Sequence, residues 1–142
     1  MTFLEKSNWV VLIVGVPTLL AYAILVVPQL LTRPIAEVSW VQPMIGAIVG
    51  FVVANVLGNV VAAATNPAEA DMNDERDREI DRFGERVGNW LLVAGAIVAL
   101  VLAMAVADHF WIGNAIFLGG IAGSLLSSVT KIAAYHGPFQ RW

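Results

Sequence analysis

The chain has 142 residues, of which 58% are hydrophobic and 13% charged, with a formal net charge of −3 and a mean hydropathy of +0.75. A soluble domain carries about 45–50% apolar and about 25% charged residues, so this composition excludes a disordered chain, a nucleic-acid binder and an ordinary water-soluble enzyme. The absence of cysteine removes disulfides, thiolate metal sites and cysteine nucleophiles, and leaves the redox compartment open. The chain reads as an integral membrane protein.

Four apolar runs, at about 9–31, 41–64, 90–107 and 112–134, are long enough to cross a bilayer as helices. The first is preceded by a single basic residue, Lys6, and is followed by no small-residue cleavage site, so it reads as a span rather than a signal peptide. Pro17 and Pro28 each remove a backbone donor from it, which favours a kink. The second run places Gly46, Gly50, Ala54, Gly58 and Ala62 at every fourth position. Small residues at this spacing let helix backbones approach closely, and that is how helices associate where lipid supplies no hydrophobic force. Asn55 and Asn59 sit on one face of the same run.

The connection 65–89 carries most of the charge, and its stretch 71–87 has the pattern of a helix. Asp71 or Asn73 can cap it, and Asp74, Glu75 and Asp77 fall in the first turn, where the helix dipole favours anions. Asp74 with Arg78 and Glu79 with Arg82 have the spacing of opposite-charge pairs. Ile80, Phe83 and Val87 form an apolar stripe that would lay the helix on the membrane surface or on the bundle, with Gly84 and Gly88 as bend points before the third span. The alternation of sign along Glu75, Arg76, Asp77, Arg78, Ile80, Arg82 and Phe83 suits either a solvated face or a docking surface for a cytoplasmic partner. A metal site among the acidic residues is disfavoured by the interleaved arginines.

The run Glu75-Arg-Asp-Arg-Glu-Ile80, a short amphipathic stretch and an aromatic residue opening a span resemble the Glu-Arg-Asp-x-x-Ile pattern of small four-span bacterial membrane proteins of the DUF2178 type. The resemblance covers the loop and the arrangement of spans. It implies a multi-pass protein of the bacterial inner membrane with a small transcription regulator as a partner, and it transfers no catalytic residue.

The third run repeats the small-residue pattern at Gly95, Ala99, Ala103 and Ala107, and the fourth has Gly119, Gly123 and Ser127. Asp108 is expected to end the third span and Asn114 to cap the fourth, with Trp111 at the interface; Asp108 and His109, adjacent on a helix, are not a preoriented acid–base pair. Ser124, Ser127, Ser128 and Lys131 lie at a depth comparable with Asn55 and Asn59 in an antiparallel count. These six residues define a polar layer that either fixes register by interhelical hydrogen bonds, with Lys131 snorkelling to the inner interface, or lines a small cavity open to the cytoplasm. His109 and His136 fall at opposite ends, which disfavours haem, and no cofactor is expected.

Of the eight Lys and Arg, only Arg33 lies in a short loop; Lys6, Arg76, Arg78, Arg82, Arg86, Lys131 and Arg141 share the other side. The positive-inside rule puts both termini in the cytoplasm, and Trp9, Trp40, Trp90 and Trp111 mark the interfaces. The expected fold is all-α: a membrane four-helix bundle of two antiparallel hairpins in one domain. The expected function is non-enzymatic, an interaction or assembly module that meets membrane lipids and a second copy, a dimer being favoured, or another protein. The alternative is a carrier of a small solute or lipid, although no span contains the buried acid that proton-coupled exporters use. With Glu75→Cys and Glu37→Cys introduced singly into this cysteine-free chain, an impermeant maleimide on intact cells is expected to label position 37 and not 75; labelling at 75 would reverse the orientation.

Overall fold

The structure is a computed structural model that describes residues 1–65, 67–70 and 74–138. The described residues are all-α, and four of the helices are long and apolar enough to cross a membrane. Helix α1 spans Phe3–Thr32 and begins where the Glu5 amide donates to Thr2 Oγ1 at 3.3 Å. It runs unbroken through Pro17 and Pro28, both exposed. Beside them Thr18 and Thr32 donate to the Val14 and Pro28 carbonyls at 2.7 and 2.9 Å, while the carbonyls that the two prolines leave without an amide donor are those of Ile13 and Ile24.

A short loop with a 3-10 turn at Ile35–Glu37 leads to α2, Val41–Thr65. Gln29 closes this loop, donating from Nε2 to the Leu25 carbonyl at 2.8 Å and accepting at Oε1 from the Ser39 amide at 2.9 Å. One turn of helix, α3 (Pro67–Ala70), precedes α4, Glu75–Met104. The cap of α4 is Asp74, whose carboxylate accepts from the Glu75 amide at 2.6 Å; Asp71 and Asn73 lie outside the described residues.

The charged stretch and the third span are therefore one continuous helix, not a surface helix bent at Gly84 and Gly88. Residues Asp77, Ile80, Gly84, Gly88 and Ala99 are its buried positions, a stripe at helical spacing from the charged start into the apolar end. Helix α4 ends in a Schellman turn: the Val106 amide donates to the Ala103 carbonyl at 3.1 Å and the Ala107 amide to the Leu102 carbonyl at 2.9 Å. Val106 stands at φ 56°, a position where glycine is usual. Asp108 does not end the third span but caps α5, His109–His136, accepting from the Phe110 amide at 2.9 Å.

The spans form two hairpins, α1 with α2 and α4 with α5, joined where α1 packs on α5. They stand in the row α2, α1, α5, α4 rather than in a closed square, and α2 packs broadly on α1 alone among the spans. Exposed surface totals 8991 Å², against about 7,100 Å² for a compact soluble monomer of this mass, as an open row requires. At the loop end Tyr22, Val26, Val38, Met44 and Phe110 form an apolar core. Trp40 packs there on Gly113 and edge-on to Phe110 at 5.9 Å, so it is a packing residue; among the described residues Trp9, Trp90 and Trp111 are the exposed indoles.

The small-residue stripes have different fates. A Cβ at Gly88 would lie 2.5 Å from the Gly123 carbonyl oxygen, and one at Gly95 would lie 2.9 Å from the Gly119 Cα. Here α4 and α5 touch backbone to backbone. A Cβ at Gly58 would strike Val10 of α1, whereas one at Gly46 or Gly50 meets nothing within 4 Å. Gly95→Ala and Gly123→Ala are expected to lose about 1–3 kcal/mol by overpacking, read as a lower thermal midpoint in detergent, while Gly46→Ala and Gly50→Ala lose none. Equal losses at all four positions would contradict the seam.

Candidate functional site

At the charged end α1 and α4 both rest on α5 without broad contact with each other, so they wall a trough whose floor is α5. The trough is a cleft of about 510 Å³, with Gly120, Gly123, Ser124 and Ser127 in its floor, Ser7 and Asn8 on the α1 wall and Asp81, Glu85 and Asn89 on the α4 wall. Small floor residues keep it deep because no large side chain fills it.

Lys131 is the charged residue of α5 that lines the cleft, and it is buried. Its aliphatic stem crosses Gly84 so closely that a Cβ there would collide with the stem carbons, and its ammonium donates to Asp81 Oδ1 at 2.6 Å. The side chain thus turns across to α4 instead of snorkelling alone to the interface. Among the described residues lining the cleft are two carboxylates, Asp81 and Glu85, and one ammonium, which leaves one negative charge in excess. Asn8 Nδ2 donates to the Leu4 carbonyl at 2.7 Å, so Oδ1 is left as an acceptor, and it accepts no hydrogen bond from the described residues. Ser124 donates to the Gly120 carbonyl at 3.0 Å. The cleft offers acceptors at Asp81, Glu85 and Asn8 Oδ1, and donors in the hydroxyls of Ser7, Ser127 and Ser128 and the amide of Asn89.

Beside the cleft, Glu5 is buried and lies 3.4 Å from His136 Nε2. Toward the loop end the opposite side of α5 carries a second, apolar pocket of about 350 Å³ between Tyr22 and Val26 of α1 and Val98 and Leu102 of α4. Its polar contact is internal: Tyr22 donates to Asn114 Oδ1 at 2.6 Å, and Asn114 donates to the Phe110 carbonyl at 2.9 Å. Asn114 therefore belongs to the interior of α5 and does not cap it.

The expected polar layer divides in two. Ser124, Ser127, Ser128 and Lys131 line the cleft, but Asn55 and Asn59 do not. They sit on α2, which does not pack broadly on α5, and their amides donate to the Phe51 and Asn55 carbonyls one turn back, both at 2.9 Å. Antiparallel counting set them beside α5, whereas α1 stands between α2 and α5.

In the charged helix Glu75, Arg76, Arg78 and Arg82 are exposed and Phe83 partly so, whereas Asp77 and Ile80 are buried and cannot meet an outside partner. Ser7, Asn8, Asp81, Glu85 and Asn89 were not expected in a site. The signal for two of them is that Asn8 and Asn89 immediately precede Trp9 and Trp90. Among the described residues no group of three His, Asp or Glu side chains is gathered as a metal site.

The chain matches no family model, no curated protein and no solved structure. Lys131→Met and Asp81→Asn are each expected to destabilise the fold, and the double variant is expected to lose less than their sum, by a coupling of about 1–2 kcal/mol, within the range for contacting charged partners. Additive losses in detergent unfolding would show that the pair holds nothing together.

Proposed function

We propose that the protein is a non-enzymatic assembly module of the bacterial inner membrane, with its charged end and both termini in the cytoplasm, that associates with a second copy through α2. One observation carries this reading: α2 stands at the end of the row, and its Gly46 and Gly50 open onto empty space. The corresponding glycines of α4 and α5 are already closed against each other, so close helix approach is still on offer only at α2. The exposed alternation of Glu75, Arg76, Arg78 and Arg82 supports a cytoplasmic docking face for another protein on the same molecule. The likeness of the Glu75–Ile80 segment to the four-span DUF2178 type favours the bacterial setting.

A second reading, a carrier of a small solute or lipid, is supported by the polar cleft and by the unpartnered acceptor of Asn8 within it. For the first reading, native mass spectrometry in mild detergent is expected to show a dimer. Gly46→Ile with Gly50→Ile should convert it to monomer, while Val52→Ile on the far face of α2 should not. A dimer that survives the double glycine replacement would remove α2 as the interface.

A further inference from the structure

We infer that the cleft between α1, α4 and α5 holds a primary ammonium group, and that in the membrane this is the amine of a phosphatidylethanolamine headgroup. The inference rests on the second reading above, that the cleft is a ligand site. Its charges select the ligand's sign. Lys131, the one cation lining the cleft among the described residues, already donates to Asp81, so an anionic group seeking that ammonium would have to displace a carboxylate held at 2.6 Å. The neutral hydroxyls of Ser7, Ser127 and Ser128 are left to donate to the phosphate of the same headgroup. Glu85 and Asn8 Oδ1 remain as acceptors without a donor from the described residues. A primary ammonium brings three donors and one positive charge, which match the free acceptors and the excess negative charge. A quaternary ammonium brings the charge and no donor.

Depth selects the source. Asn8 and Asn89, on opposite walls, each adjoin a tryptophan that faces outward, Trp9 at 39% and Trp90 at 71% exposure, and exposed indoles settle at headgroup level. Because α1 and α4 share no broad contact, the trough opens sideways to lipid as well as toward the water. Toward the apolar spans the cleft is lined by Val11 and Leu92, and Leu92 is exposed. A lipid with its amine beside Glu85 therefore has apolar surface next to the cleft for its acyl chain. A soluble amine would use the polar part of the cleft alone.

The test is native mass spectrometry of the full chain, delipidated in mild detergent and titrated with palmitoyl-oleoyl phosphatidylethanolamine, phosphatidylcholine, phosphatidylglycerol or free ethanolamine. The expected result is one phosphatidylethanolamine per chain, bound at least tenfold more tightly than the other two lipids. Glu85→Gln, at an exposed position that folding does not depend on, should weaken it at least fivefold, and Glu75→Gln outside the cleft should leave it unchanged. Equal retention of the three lipids, or no effect of Glu85→Gln, would overturn the inference while leaving a ligand site in place. Free ethanolamine binding as tightly as the lipid would overturn the membrane source. Retention of none of the four would remove both the inference and the second reading.

Discussion

Gly88 of α4 and Gly123 of α5 meet with no side chain between them, and the position of nearly every other functional group follows from that contact. Glycine at both places lets two helix backbones close to carbonyl-on-Cα distance, where even a methyl group would overlap. The contact fixes register as well as distance. Asp81 lies seven residues before Gly88 on α4 and Lys131 eight residues after Gly123 on α5, which in an antiparallel pair at 1.5 Å per residue sets them at nearly the same height. Their ion pair is a consequence of the seam, and Gly84 continues the seam by leaving room for the lysine stem.

The open row has a physical reason in the solvent. In water a helix with one face packed and three exposed would lose the hydrophobic contribution of those faces, but in a bilayer lipid tails are as apolar as the side chains they meet. Ile45, Val49, Val53 and Leu57 on α2 therefore need no partner within the chain. What holds α2 is its packing on α1, with Gly58 against Val10, and the aromatic core at the loop end to which Met44 belongs. The polar cleft and the apolar pocket arise from the same openness, since walls that do not touch leave a trough over the helix between them.

Charge enters this trough by way of a continuous helix. Because α4 passes from its charged first turns into the apolar span without a break, its inward stripe brings Asp77, Ile80 and Gly84 against the bundle and points Asp81 and Glu85 into the cleft. A membrane-buried acid was absent from every apolar run, yet two carboxylates stand at the mouth of the site. They belong to the segment that composition assigns to water.

Much of the fold was legible in the residues themselves. Four runs long enough to cross hydrocarbon dictate four helices, because unpaired backbone has no partner in lipid, and glycine at every fourth position announces close helix contact. The two hairpins follow from short loops, read in the sequence near 32–39 and 108–113 and formed at 33–40 and 105–108. Which glycine stripe is closed and which is open was not legible, since Gly46 and Gly119 are alike in sequence and differ only in what stands opposite. The same holds for Asn55 and Asn59, whose depth could be counted along the chain while their neighbour depended on the order of helices in the row. The cleft gathers side chains from three helices separated by up to 127 positions, from Leu4 to Lys131, and no local pattern records that distance. Hydropathy and periodicity are properties of one helix at a time and were determined by the sequence alone; lateral order, register and the meeting of Asp81 with Lys131 are properties of pairs, and only tertiary packing decided them.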